Sequence, residues 1–139
     1  MLGSNYVPPL TMGTREYWIS ASSGKFAIPY CSACSRFHYY PRLICPYCGS
    51  EGITLGEVTG RATVYSHTTV HLRLHPLPED WPVPFVVALV ELEEGPVMMT
   101  NIVNCEPSRV EIGMELKVTF GPSTFPVFQP AHPNSVGVK

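Results

Sequence analysis

Charge is what this sequence has least of. Only 14% of its 139 residues are Asp, Glu, Lys or Arg, where an average soluble chain has roughly a quarter. The apolar share, 45%, is ordinary, which excludes an intrinsically disordered tail and a charged coiled coil. Uninterrupted stretches are also missing. Fifteen prolines and eleven glycines break the chain too often for long helices, so a helical bundle is excluded. No long hydrophobic run is present: the longest, Val83 to Val90 with Leu92 beyond, falls short of the ~20 residues of a membrane-spanning helix. Near Met1 there is no basic start followed by an apolar stretch, so no signal peptide and a cytoplasmic location are expected. The length suits one compact domain, or a small domain with an appendage.

Acidic residues are absent from Tyr17 to Ser50, where the charges are Lys25, Arg36 and Arg42. From Val58 to Pro78 the basic residues are Arg61 and Arg73, joined by His67, His71 and His75. These stretches carry +3 and +2, which leaves −7 for the remainder of a chain whose net charge is −2. Such segregation suits one positive surface that receives an anionic ligand or partner. Nine basic residues in all are too few to track a nucleic-acid backbone.

Cysteine is present in a telling pattern: Cys31-x-x-Cys34, ten residues, Cys45-x-x-Cys48, and Cys105 far away. Two C-x-x-C pairs are the spacing of a tetrahedral four-thiolate zinc site. Pro46 presets the second turn and Gly49 takes positive φ without strain, whereas Ser35 stands where a glycine would be easier. The rival reading, two disulfides, requires an oxidising compartment. With four protein ligands no position stays open for water or substrate, so the zinc is expected to be structural. The link Ser35 to Ile44 carries Arg36, Phe37, His38, Tyr39, Tyr40 and Arg42, either to fill a mini-core or to grip a ligand. Cys105 has no adjacent sequence signal of a nucleophile and reads as a small hydrophobe rather than a catalytic thiol.

Along the chain, Thr14 is placed to cap a short helix that Ser22-Ser23-Gly24 ends. After Gly52 the pattern turns to period two, the mark of half-buried strands. Candidates are Ile53–Val58, then Arg61–Val70 with Val64, Ser66, Thr68 and Val70 on one face. Phe85–Glu93, Val97–Val103, Glu115–Phe120 and Pro126–Gln129 follow. Between His71 and Pro84 lies a proline-rich loop. The strand count suits a small antiparallel barrel, OB-type or SH3-like.

The order of parts resembles a known family. Tyr17-Trp18 and Cys31-x-x-Cys34 are followed by Tyr40-Pro41-Arg42-x-x-Cys45-Pro46-x-Cys48-Gly49-Ser50, then Gly60-Arg61-Ala62-Thr63-Val64-Tyr65-Ser66. Pro84 to Leu92, Gly95-Pro96, Thr100-Asn101-Ile102-Val103, Ile112-Gly113-Met114 and Pro126-Val127-Phe128 complete it. This is similar to the acyl-CoA-associated OB-fold proteins with a rubredoxin-like zinc ribbon, the domain-of-unknown-function family numbered thirty-five. The resemblance implies a mainly β chain: an N-terminal arm and short helix (1–27), a four-cysteine zinc ribbon (28–52), a five-stranded OB-fold barrel (53–130) and a tail (131–139). It also implies a non-catalytic accessory subunit in a hetero-oligomer with a thiolase-like large subunit. That partner is a thiolase, a hydroxymethylglutaryl-CoA synthase or an acyl-CoA aldolase, and supplies the catalytic residues.

On this reading Cys31, Cys34, Cys45 and Cys48 hold Zn2+, and the chain helps form a site for coenzyme A or acyl-CoA. Its phosphates need basic partners, its adenine a flat face and its pantetheine a partly apolar groove. The candidates are Lys25, Arg36, Tyr39, Tyr40, Arg42, His71, Arg73, His75 and Trp81. Two alternatives remain: a small subunit of an acyl-CoA hydratase, and a zinc-ribbon and OB module that binds single-stranded nucleic acid. No membrane association is expected.

Overall fold

A computed structural model of the chain describes residues 9–73, 82–121 and 125–132. The first element is a short helix, α1 (Arg15–Ser22), whose Tyr17 and Ala21 are buried. Four residues apart, they share the face turned inward. Thr14 precedes it but does not cap it with its side chain. Its hydroxyl accepts from the Thr11 backbone N–H at 3.0 Å instead, which ties the arm into a turn. Gly24, at φ +82°, closes the helix and donates to the Ala21 carbonyl, a left-handed stop that costs glycine nothing sterically.

Next come β1 (Ala27–Cys31), β2 (Arg36–Phe37) and β3 (Ile53–Glu57), a three-stranded sheet with β1 in the centre. Between β1 and β2 lies the first cysteine knuckle; between β2 and β3 lies the second. Strand β3 pairs with β1 from Ile53 opposite Cys31 to Glu57 opposite Ala27. It therefore belongs to the ribbon's sheet and not to the barrel.

The remaining strands, β4 (Arg61–Val70), β5 (Phe85–Leu92), β6 (Val97–Ile102), β7 (Glu115–Phe120) and β8 (Pro126–Pro130), close a barrel in the order β4-β5-β6-β8-β7. All pairs are antiparallel except β6 with β8. Five strands in this order form the OB-fold barrel.

A β-bulge between Val64 and Ser66 alters the expected face of β4. Ala62 and Val64 point inward and are buried. Beyond the bulge His67 lies opposite buried Ala88 and Thr69 opposite buried Val86. The inward set thus changes from even to odd positions, and Ser66 and Thr68 are exposed. One extra residue suffices, because strand side chains alternate with a period of two.

The core is one body. Val64, Val86, Val90, Leu92, Leu116 and Phe128 from the barrel pack with Phe26 and Ile28 from the ribbon and Tyr17 from α1. Phe26 meets Phe128 edge-on with ring centroids 5.9 Å apart. Three residues, Val58 to Gly60, join β3 to β4. Gly60 adopts φ +80°, and a Cβ there would lie 2.5 Å from Val118 Cγ1, so the crossing requires glycine for both reasons. Among the described residues no helix is long and apolar enough to cross a membrane.

Candidate metal centre and ligand groove

The two knuckles are built alike. Ser35 N–H donates to the Cys31 carbonyl at 2.8 Å, and Gly49 N–H to the Cys45 carbonyl at 3.0 Å. Both turn residues have positive φ, +58° and +77°, so Ser35 occupies a conformation that glycine adopts more cheaply. These turns converge four thiols: the sulfurs of Cys31, Cys34, Cys45 and Cys48 all lie within 4.8 Å of one another. Across the knuckles, Cys31 and Cys48 are 3.6 Å apart and Cys34 and Cys45 3.7 Å. Sulfurs ligated at the usual Zn–S length to one tetrahedral metal stand about 3.8 Å apart. The cluster fits zinc.

Backbone donors favour the thiolate form of two of these thiols. The Cys34 N–H holds the Cys31 pKa below the ordinary thiol value. Burial acts to raise that of Cys45, but the N–H groups of Tyr47 and Cys48 outweigh it and bring it to about 7; the Tyr47 nitrogen is 3.4 Å from the sulfur. Burial pushes Cys34 up to about 12, with its neighbouring thiols adding to the shift. A divalent metal supplies the charge that this cluster of thiols needs to ionise together.

Beside the ribbon runs a groove of about 720 Å³, within the usual size of ligand sites. Tyr17 and Trp18 of α1 and Tyr39, Tyr40 and Arg42 of the link form its ribbon end. Outward residues of β5 and β6, among them Val87, Val97 and Met99, form the barrel end with Phe125. An aromatic cluster holds the corner: Tyr17 touches Trp18, Tyr39 and Tyr40, and Trp18 meets Phe125 at 5.1 Å. Trp18 Nε1 donates to the Tyr40 hydroxyl at 3.3 Å. Burial pushes the Tyr17 phenol well up and that of Tyr39 up to about 12, despite the hydrogen bond to Tyr17. Both remain neutral donors at neutral pH. Arg42 Nε donates to the Tyr40 carbonyl at 3.3 Å, which orients the guanidinium while leaving its other donors for a ligand.

Of the candidate ligand contacts, the structure brings Tyr39, Tyr40 and Arg42 together in this groove. Arg36 does not line it; its guanidinium lies 3.6 Å over the Tyr47 ring. Lys25, His71 and Arg73 are exposed and stand outside the groove's described lining. His75 and Trp81 lie outside the described residues. His38, on the link, is 1% exposed, and neither ring nitrogen has a hydrogen-bond partner among the described residues. Burial, then the Arg42 charge, lowers its pKa. Cys105 is half-buried against the core, its pKa raised by burial. Sequence reasoning missed the barrel wall. Its signal was present: Val87 in β5 and Val97 and Met99 in β6 are apolar at positions that face outward.

Family comparison agrees with both halves. The ChsH2 rubredoxin-like zinc ribbon domain matches residues 18–54, and the ChsH2 C-terminal OB-fold domain matches residues 56–121. A solved structure described as Ltp2-ChsH2(DUF35) aldolase superimposes with a TM-score of 0.80 at 34% identity, over 91% of this chain and 100% of that one. The chain belongs to the ChsH2/DUF35 family. Another DUF35 protein, a scaffold protein of Methanothermobacter thermautotrophicus, is 36% identical over 65% of this chain and 67% of its own. The probable enoyl-CoA hydratase alpha subunit of Thermomonospora curvata is 38% identical over 91% of this chain. This DUF35 chain spans only 40% of that hydratase subunit's length.

Proposed function

We propose that this chain is a non-catalytic small subunit of an acyl-CoA enzyme, bound in a hetero-oligomer to a thiolase-like large subunit that makes or breaks a carbon–carbon bond. It stabilises the complex and forms part of its coenzyme A site. The observation that carries the reading is the groove: a cation and neutral phenols at the ribbon end, and a long apolar wall at the barrel end. An amphipathic anion with an extended arm, as in coenzyme A, matches that polarity. Its described lining includes no cysteine, histidine or carboxylate, so it offers binding without the nucleophile and base that acyl transfer needs. The likeness to an aldolase component supports a carbon–carbon-bond partner. The hydratase subunit among the relatives favours a second reading, in which the partner is an acyl-CoA hydratase. Zinc, held by Cys31, Cys34, Cys45 and Cys48, acts as the clasp of the ribbon, and the cytoplasm is the compartment in which such thiols stay reduced.

Mass spectrometry of the subunit that co-purifies from the native source separates the two partners. Calorimetry with coenzyme A then tests the site. Arg42→Glu is expected to weaken binding to the complex by about 10- to 100-fold, the value of a charge-assisted contact, while Arg36→Glu leaves it within about threefold. Equal affinity for wild type and Arg42→Glu would remove coenzyme A from this groove.

A further inference from the structure

Five residues that line the groove, 97–101, are consecutive along β6. A strand that turns one face to a groove lends it alternate side chains, so an unbroken run means that the groove also meets the strand's edge. The sheet shows why. On one side β6 pairs with β5 along its whole length, from Val97 opposite Glu91 to Ile102 opposite Val86. On the other it meets β8 at Ile102 opposite Phe128, where Val103 N–H donates to the Phe128 carbonyl at 2.8 Å. Strand β8 itself pairs with β7. The barrel is therefore closed at one end of β6 and open along the rest, and the groove lies between residues 97–101 and 125–127.

Register decides which backbone groups face this opening. Leu92 N–H donates to the Pro96 carbonyl at 2.9 Å, which makes the next pair, Glu91 and Val97, one that exchanges no hydrogen bonds. Bonded and non-bonded pairs alternate along an antiparallel ladder. Met98, Thr100 and Ile102 thus direct their backbone groups to β5, while Val97 and Met99 turn theirs away from it. Among the described residues no hydrogen bond reaches the N–H or C=O of Val97 or Met99, and their side chains are 38% and 67% exposed. Two donors and two acceptors therefore stand open in an otherwise apolar wall.

We infer that this open edge of β6 binds the two secondary amides of the pantetheine arm of coenzyme A through the backbone N–H and C=O groups of Val97 and Met99. The inference rests on the coenzyme A reading above and names the atoms that take the arm. The count carries it. The arm brings two amide N–H and two amide C=O groups, uncharged like the edge, and separated by only one carbon more than successive peptide groups are. A strand of polypeptide is the rival occupant of a free edge. Strands usually run five or six residues, however, and here β8 takes over at Ile102, which leaves only Val97 and Met99 wholly open. Arg42 lines the ribbon end of the same groove, so a phosphate held there leaves the arm to run along β6. Entry of the arm excludes water from the edge, and pairing with the amides offsets that desolvation.

The test uses the zinc-loaded chain in complex with its native companion subunit, with hydrogen–deuterium exchange read by mass spectrometry over residues 97–101. Without ligand, the amides of Val97 and Met99 should exchange fast. Saturating coenzyme A should slow them by about tenfold or more, whereas adenosine 3′,5′-bisphosphate, which lacks the arm, should not. Met99→Pro removes one donor from the open edge and none from the ladder to β5. It is expected to weaken coenzyme A binding by about tenfold, the value of one neutral hydrogen bond, and to leave binding of the bisphosphate unchanged. Met99→Ala, which keeps the N–H, should cost less than Met99→Pro. Should Met99→Pro fail to assemble, exchange in the wild-type complex decides. Coenzyme A that binds without slowing these amides, or binds Met99→Pro as it binds wild type, would overturn the inference; the groove reading survives if Arg42→Glu still weakens binding. Amides of Val97 and Met99 already slow in the ligand-free complex would give the edge to a strand of the companion and overturn the inference as well. A complex that binds no coenzyme A removes both ideas.

Discussion

His38 is the residue whose surroundings depart furthest from ordinary expectation. Its ring is buried and, among the described residues, neither nitrogen has a partner, an arrangement tolerable only while the imidazole is neutral. Because its folded pKa is lowered by burial and by Arg42, the unfolded chain binds the proton more readily. Stability from this site is complete above the unfolded value, about 6.5, and is lost as pH falls through it toward the folded one. His38→Phe should therefore lose less melting temperature than wild type between pH 7.5 and 5.5, with both proteins zinc-loaded. Parallel losses would show that the imidazole contributes nothing. Ser35 illustrates the reach of sequence at this scale. Its awkwardness was readable from the knuckle pattern, since a left-handed turn follows from C-x-x-C spacing alone. The burial of His38 was not readable, because it depends on how the link folds against distant strands.

At the scale of elements, local signals and long-range ones separate cleanly. The period-two runs gave the barrel strands, and the cysteine spacing gave both knuckles, since each is written within a few neighbouring residues. What β3 pairs with could not be read that way. Its alternation suits a barrel strand, and only the ladder from Ile53–Cys31 to Glu57–Ala27 places it in the ribbon. The bulge at Val64/Ser66 was hidden likewise, because one unpaired residue leaves the β-branched composition of β4 unchanged. The groove combines residues from the arm and α1 (9, 17, 18), the link (39, 40, 42), β5 and β6 (85, 87, 97–101) and the segment 125–127, and its polar end was legible as a basic, aromatic link whereas its apolar wall was not. The metal governs that polar end. Chelating zinc should release the link that carries Tyr39, Tyr40 and Arg42, so the coenzyme A binding proposed for this groove should vanish together with the ribbon's order. Structural zinc contributes on the order of 10 kcal/mol or more to such modules. A metal-free protein, verified by elemental analysis, that keeps its melting temperature and ligand affinity would contradict this.

The whole molecule should unfold as one cooperative unit because ribbon and barrel share a core. Phe26 and Ile28 enter the same cluster as Phe128 and Leu116. Phe26→Ala should destabilise by about 3–5 kcal/mol and lower a single calorimetric transition; two resolved transitions would mean that ribbon and barrel melt apart. The shared core also sets where the chain can be cut. An exchange of ribbons between relatives that joins the halves at residue 52 would pair β1 of one parent with β3 of the other. A junction between Glu57 and Arg61 keeps both sheets whole, provided that Gly60 is retained and that the incoming ribbon presents an aromatic ring to Phe128. Recombination within this family thus has one narrow seam, three residues wide, and it lies where the fold turns from one sheet to the other.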